Sequence, residues 1–230
     1  MELPPFHLRL IEDARVVCDR YGLLLAGGYA MTAHGLPGRP AGELEFATAD
    51  ETPLPEVAEQ VAGAFGRTGL SARVCEVTPR VGRLVVTDEI GGQSGEIRLS
   101  REALLVEPSV VEPCPVVGLD DAAGLAVRSL RDTGLPRDFA DVAAVSGLYG
   151  FRELEQLGGR HDDEWLTEDL LQRLESVDLL ADEGFAEQGL DEEAIGRIRR
   201  FAYAWAEDIR LRRVDDGDAD YDDYDIPDLD

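Results

Sequence analysis

With 230 residues, 44% of them hydrophobic, the chain is long enough to bury a core as one sizeable domain or two small ones, and no apolar run approaches membrane-spanning length. Its formal net charge is -26, of which nine aspartates in 215–230 account for part and leave -17 for residues 1–214; such a surface repels phosphate backbones and argues against nucleic-acid binding. All 22 basic residues are arginine, so no lysine is present to form a Schiff base or act as a point-charge phosphate ligand.

Residues 1–5 carry no basic region and no small-residue cleavage site, so no secretory leader is expected. Over 5–20, Phe6, Leu10, Ala14, Val17 and Cys18 recur at helical spacing, and Gly22 marks the stop. Leu23-Leu24-Leu25-Ala26 is apolar throughout, as a short buried strand would be. Gly27-Gly28 turns the chain, a second helix follows from Tyr29 to His34, and Gly35 ends it. After a loop at 37–42, Glu43-Leu44-Glu45-Phe46-Ala47-Thr48 alternates polar and apolar residues like a half-buried strand. Residues 55–67 form an amphipathic helix with Val57, Val61, Ala64 and Phe65 inward. Strands are predicted at 72–78, 83–87 and 96–99, with a turn at Gly91-Gly92 before the last. Beyond Val117 only helical periodicity remains, at 120–132, 137–148, 151–158, 167–174 and 191–212.

The pattern predicts an α+β class: a mixed sheet with flanking helices over 1–118, a helical domain over 119–213, and a disordered acidic tail over 214–230. Cys18, Cys75 and Cys114 match neither a zinc pattern nor a disulfide framework, so three partly buried thiols in a reducing cytoplasm are expected. The arginine, alanine and glycine bias fits a GC-rich bacterial genome. Tyr203 and Trp205 read as packing aromatics, and His161, in an acidic loop, as solvated.

The stretch 24–48 is the most informative: a buried strand, Gly-Gly, a short helix, a loop, then acid-x-acid on a strand. It resembles the nucleotidyltransferase superfamily, most closely the AbiEii/AbiGii toxin-like type. In that type the run reads Gly-Gly-x-Ala, His-Gly, Arg and Asp-x-Asp; the matching residues here are Gly27, Gly28, Ala30, His34, Gly35, Arg39, Glu43 and Glu45. Downstream, Arg137-Asp138-Phe139-Ala140-Asp141 is similar to the family's Arg-Asp-hydrophobic-x-Asp motif, and weaker likeness covers most of 3–212.

The resemblance implies a nucleotidyltransferase-like fold and, in its active form, an NTP with Mg2+. Two carboxylates at i and i+2 share one strand face, a third comes from a neighbouring strand, and together they hold divalent cations beside the phosphates. The Gly-Gly turn lets backbone N–H groups approach a phosphate. This chain departs from that pattern. Glu43 and Glu45 replace aspartates, moving each carboxylate by about 1.5 Å. Arg98 stands at the family's third aspartate, with Glu96 flanking it, and its permanent charge makes Glu43 and Glu45 its natural partners. Ala126 and Thr133 stand where a Lys and an Arg are common.

These departures imply a scaffold that has lost two-metal chemistry and binds or transforms a small organic molecule, without a cofactor and in a biosynthetic setting. The expected acting groups are Glu43, Glu45, Glu96, Arg98 and His34, with Gly27, Gly28, Tyr29, Arg39 and Arg137 around the ligand. Each has a plainer reading: His34 a packed histidine, Tyr29 an inward aromatic, Arg137, Asp138 and Asp141 structural, with Arg137 and Asp141 at i,i+4 on one helix face. Two alternatives stay open. One is an active Mg-dependent nucleotidyltransferase using Glu43, Glu45 and Glu96 as metal ligands; the other is a non-catalytic regulatory or decoy paralogue of a toxin.

Overall fold

The protein, seen as a computed structural model, is described over residues 3–37 and 42–215; Arg39 and everything from residue 216 onward, most of the expected acidic tail, lie outside that range. α1 (Pro5–Tyr21) buries Phe6, Leu10, Ile11, Ala14 and Val17, and ends at Gly22, whose φ of 55° is the left-handed conformation that closes a helix. β1 (Leu24–Leu25) leads into α2 (Gly27–Ala33), so the helix begins at the glycine pair itself, two residues before the sequence pattern placed it. β2 (Glu43–Thr48), α3 (Leu54–Arg67), β3 (Ser71–Val77), β4 (Val81–Asp88) and β5 (Gln93–Arg101) follow.

The strands form one sheet in the order β1-β2-β5-β4-β3. β2 and β5 run parallel, with Glu43 in register with Glu96 and Glu45 with Arg98; the other pairings are antiparallel. One face of the sheet, made by Leu44, Phe46, Leu84, Val86, Ile97 and Leu99, is buried under α1 and α3. Phe6 and Leu10 reach it above Gly95, where a Cβ would lie 3.2 Å from Leu10. The opposite face is charged and looks toward the second half of the chain.

That half consists of α4 (Leu119–Thr133), α5 (Pro136–Val145), α6 (Phe151–Gly159), α7 (Thr167–Glu175), a 3-10 turn (Ser176–Leu179), α8 (Asp182–Ala186) and α9 (Glu192–Asp215). The 3-10 turn and α8 were not foreseen, because one to two turns are too short to display a periodicity. α4 lies against α5 and α6. Its Gly124 permits the approach: a Cβ there would sit 2.5 Å from the Leu157 carbonyl oxygen and 2.6 Å from the His161 ring. His161 is therefore buried, not solvated, with Nε2 3.5 Å from Asp121 Oδ1. Trp205 is fully buried, stacked on Phe151 at 5.5 Å, with its indole N–H donated to Glu155 at 2.9 Å. Tyr203 is half exposed and gives its hydroxyl to Asp178, so it is no core aromatic. Cys18 and Cys114 are buried, whereas Cys75, on the edge strand, is exposed.

Candidate functional site

The period of two along β2 sends Glu43 and Glu45 to the face opposite Leu44 and Phe46. Their register partners Glu96 and Arg98 point the same way, so four charged side chains stand in two adjacent rows. Over them lie α4 and α5, which close a cleft with Glu45, Arg98, Ser100 and Glu102 on the sheet side and Arg128, Ser129, Thr133 and Arg137 on the helix side. Its volume is 90 Å³, small beside the roughly 300–1,000 Å³ of common ligand pockets. The lining mixes charged side chains with Phe46, Leu125 and Ala126, and so is more polar than the mostly apolar lining of common small-molecule pockets.

The Glu43 carboxylate accepts from Arg137 Nη1 at 2.5 Å. Arg137 sits in the first turn of α5, and it spans the cleft to β2 instead of bonding along its own helix to Asp141. Asp138 beside it is buried and caps α5, accepting from the Leu135 N–H at 2.8 Å, from Ser129 Oγ at 2.9 Å and from the Thr133 hydroxyl. Thr133, which the resemblance sets where an arginine is common, thus serves the fold. Glu96 turns outward to Arg83 on β4, 3.1 Å away, with both side chains about half in solvent. Its carboxylate and hydrogen bond hold the Arg83 guanidinium above its ordinary pKa.

Arg98 is half-buried in the cleft, and the bidentate pair expected with Glu43 and Glu45 does not form: among the described residues no carboxylate lies within 4.0 Å of its guanidinium. Glu43 is held by Arg137. Glu45 lies over the α2 turn, where Gly27 has a φ of 59° and a Cβ would fall 2.6 Å from the Glu45 carboxyl carbon. The space above the turn, which the resemblance assigns to a phosphate, is thus taken by the protein's own carboxylate.

Ser100 and Glu102 continue the alternation begun by Glu96 and Arg98, a signal that was available in the sequence but not read. Glu102 is buried and binds Arg128 of α4 through both oxygens. Burial weighs against the charge on Arg128, but the Glu102 carboxylate more than offsets it and holds the pKa above its usual value. Arg128 Nη1 also reaches the His161 carbonyl at 3.2 Å, which ties the back wall of the cleft to the end of α6.

Several predicted residues lie elsewhere. His34 donates Nε2–H to the Val117 carbonyl at 2.9 Å and is absent from the cleft lining, so it pins α2 to the segment entering α4. Tyr29 is buried and bonds His7 of α1 at 2.5 Å, away from the cleft. Gly28 is buried, and its carbonyl accepts from Thr32 Oγ1 at 3.0 Å. Gly27 alone of the pair lines the cleft. Arg39 lies outside the described residues.

A pair of divalent cations requires carboxylates converging within roughly 2–2.5 Å of shared ions. Among the described residues no group of three His, Cys, Asp or Glu is arranged to hold one. Of the alternative ligand set, Glu43 is engaged by Arg137, Glu96 by Arg83, and Glu45 has Arg98 as its register neighbour. As placed among the described residues, Glu43, Glu45 and Glu96 do not converge in the way a two-magnesium centre requires.

No protein-family model matches the chain, and no curated protein matches it either. Solved structures do. A Helicobacter pylori protein assigned as a nucleotidyltransferase is 15% identical with a TM-score of 0.54, over 91% of this chain and 99% of that one. JHP933 from Helicobacter pylori is 16% identical with a TM-score of 0.52, over 94% and 99%. MenT4, a nucleotidyltransferase toxin from Mycobacterium tuberculosis H37Rv, is 17% identical with a TM-score of 0.53, over 92% and 90%.

Proposed function

From the nucleotidyltransferase fold shared with these structures, we propose that this chain has lost two-metal nucleotidyl transfer and uses the cleft between its sheet and α4–α5 to bind or transform a small organic molecule. The carrying observation is the dispersal of the three candidate ligands: Glu43 onto Arg137, Glu96 onto Arg83, and Glu45 onto the Gly27 turn. Arg98 adds to it. A guanidinium about 4 Å from a divalent ion is repelled by several kcal/mol even at an effective dielectric near 20.

What remains can work without metal. A guanidinium in a sheltered cleft binds an anionic group or stabilises developing negative charge, and Glu45 is a carboxylate able to carry a proton. Beyond the Glu43–Arg137 pair the cleft continues as a second opening of 190 Å³ lined by Gly42, Glu96 and Gln188. Arg137 lines both spaces. Among the described residues no helix is long and apolar enough to cross a membrane; a cytoplasmic setting is part of the proposal.

Calorimetric titration with the four NTPs, with and without magnesium, tests the reading. Heats that do not depend on the metal are expected; micromolar, magnesium-dependent binding returns the chain to the active transferases. The small inner volume favours one second reading, a non-catalytic regulatory protein, which predicts that no small molecule binds at all.

A further inference from the structure

We infer that the ligand of this cleft presents a single negative charge, that of a small carboxylic acid, to Arg98. The inference deepens the small-molecule reading and rests on it.

One face of the β5 line carries Glu96, Arg98, Ser100 and Glu102 in alternation. The acids at both ends have their cations, Arg83 for Glu96 and Arg128 for Glu102. In the middle, Arg98 is in register with Glu45 on one side and Arg83 on the other. Arg83 gives its charge to Glu96, and the Glu45 carboxylate packs over Gly27. Among the described residues that line the cleft, Arg128 and Arg137 are each bonded to a carboxylate and Arg98 is not. A half-buried guanidinium that no described carboxylate bonds is an anion host: its fork matches the two oxygens of a carboxylate, and burial strengthens the pairing. Ser100, two residues on along the same face, adds a hydroxyl.

The charge of the surroundings limits the guest. Among the described residues, Glu45, Glu102, Asp132, Asp138 and Asp141 line the cleft beside Arg98, Arg128 and Arg137. A polyphosphate finds, among the described lining residues, one guanidinium not already bonded to a carboxylate, whereas a single charge is matched by Arg98. The inner volume of 90 Å³ is several times the roughly 10–15 Å³ that a single water needs, enough for an acid group and a short stem. The rest of the molecule would extend past Arg137 toward Gly42 and Gln188.

Ligand-observed saturation-transfer NMR on the full chain, with propionate, its neutral isostere propionamide and inorganic phosphate as probes, tests the inference. Propionate should bind at least tenfold more tightly than propionamide and more tightly than phosphate. R98Q should abolish the difference between propionate and propionamide, R98K should retain part of it, and S100A should weaken propionate severalfold, all with wild-type melting curves. Equal binding of propionate and propionamide, preference for phosphate, a preference that survives R98Q, or no binding of propionate overturns the inference. The small-molecule reading is judged separately, by screening neutral and cationic fragments against wild type and E45Q.

Discussion

Glu43 and Arg137, 94 residues apart in the chain, meet in a 2.5 Å ion pair that joins the start of β2 to the first turn of α5. The pair is mostly sheltered, with side-chain exposures of 13% and 28%. Arg137→Ala leaves the carboxylate sheltered and unpaired, at an expected cost of about 2 kcal/mol. Adding Glu43→Gln to that variant should recover part of the loss in urea unfolding, because the uncompensated charge is removed.

Asp138 is an acid of the fold. Its three accepted hydrogen bonds hold the turn between α4 and α5, and Asp138→Ala should destabilise by about 2–4 kcal/mol. If Asp138 served chemistry instead, the variant would unfold at the wild-type urea concentration.

Gly27→Ala meets two obstacles: a φ of 59° and the Glu45 carboxyl group in the path of the new methyl. A loss of about 2–3 kcal/mol is expected. In a Glu45→Ala background the same substitution should cost at least about 1 kcal/mol less, since only the backbone strain persists. Equal costs in the two backgrounds would show that Glu45 does not occupy that space.

Acid sensitivity follows from two histidines. Burial lowers the pKa of both His161, which faces Asp121, Arg128 and Glu102, and His7. An unfolded histidine takes up its proton near pH 6.5, whereas the folded rings bind theirs only at lower pH. The unfolded state therefore binds more protons below about pH 6.5, and stability is lost from there downward until the folded values are passed. Urea midpoints should be flat from pH 7 to 8, fall between pH 6.5 and 5, and fall less in His161→Gln. The lowered aspartates Asp50, Asp88 and Asp162 act in a more acidic range and leave this window untouched.

Much of the fold was legible because it is local. The spacing of Phe6, Leu10 and Ala14 specified α1, and the alternation over Glu43–Thr48 specified β2 to the residue. Which charges meet was not legible, because it depends on register between strands distant in sequence. Glu96 finds Arg83 only because β4 lies beside β5, and Arg137 finds Glu43 only because α5 crosses the sheet face. His161 was misread from its acidic neighbours; the slot that buries it is opened by Gly124, 37 positions earlier. His34 and Tyr29 followed the resemblance into a site, but their hydrogen bonds to Val117 and His7 lead elsewhere.

The most direct test of the lost metal centre is a manganese titration followed by electron paramagnetic resonance on wild type and the Glu43→Gln/Glu45→Gln double variant. Acidic residues outside the cleft contribute equally to both proteins, so only the difference reports on the cleft. The two proteins should bind the same number of ions with the same affinity. One or two additional tightly held ions in wild type, absent from the double variant, would mean that the carboxylates still assemble around metal despite Arg98 and Arg137.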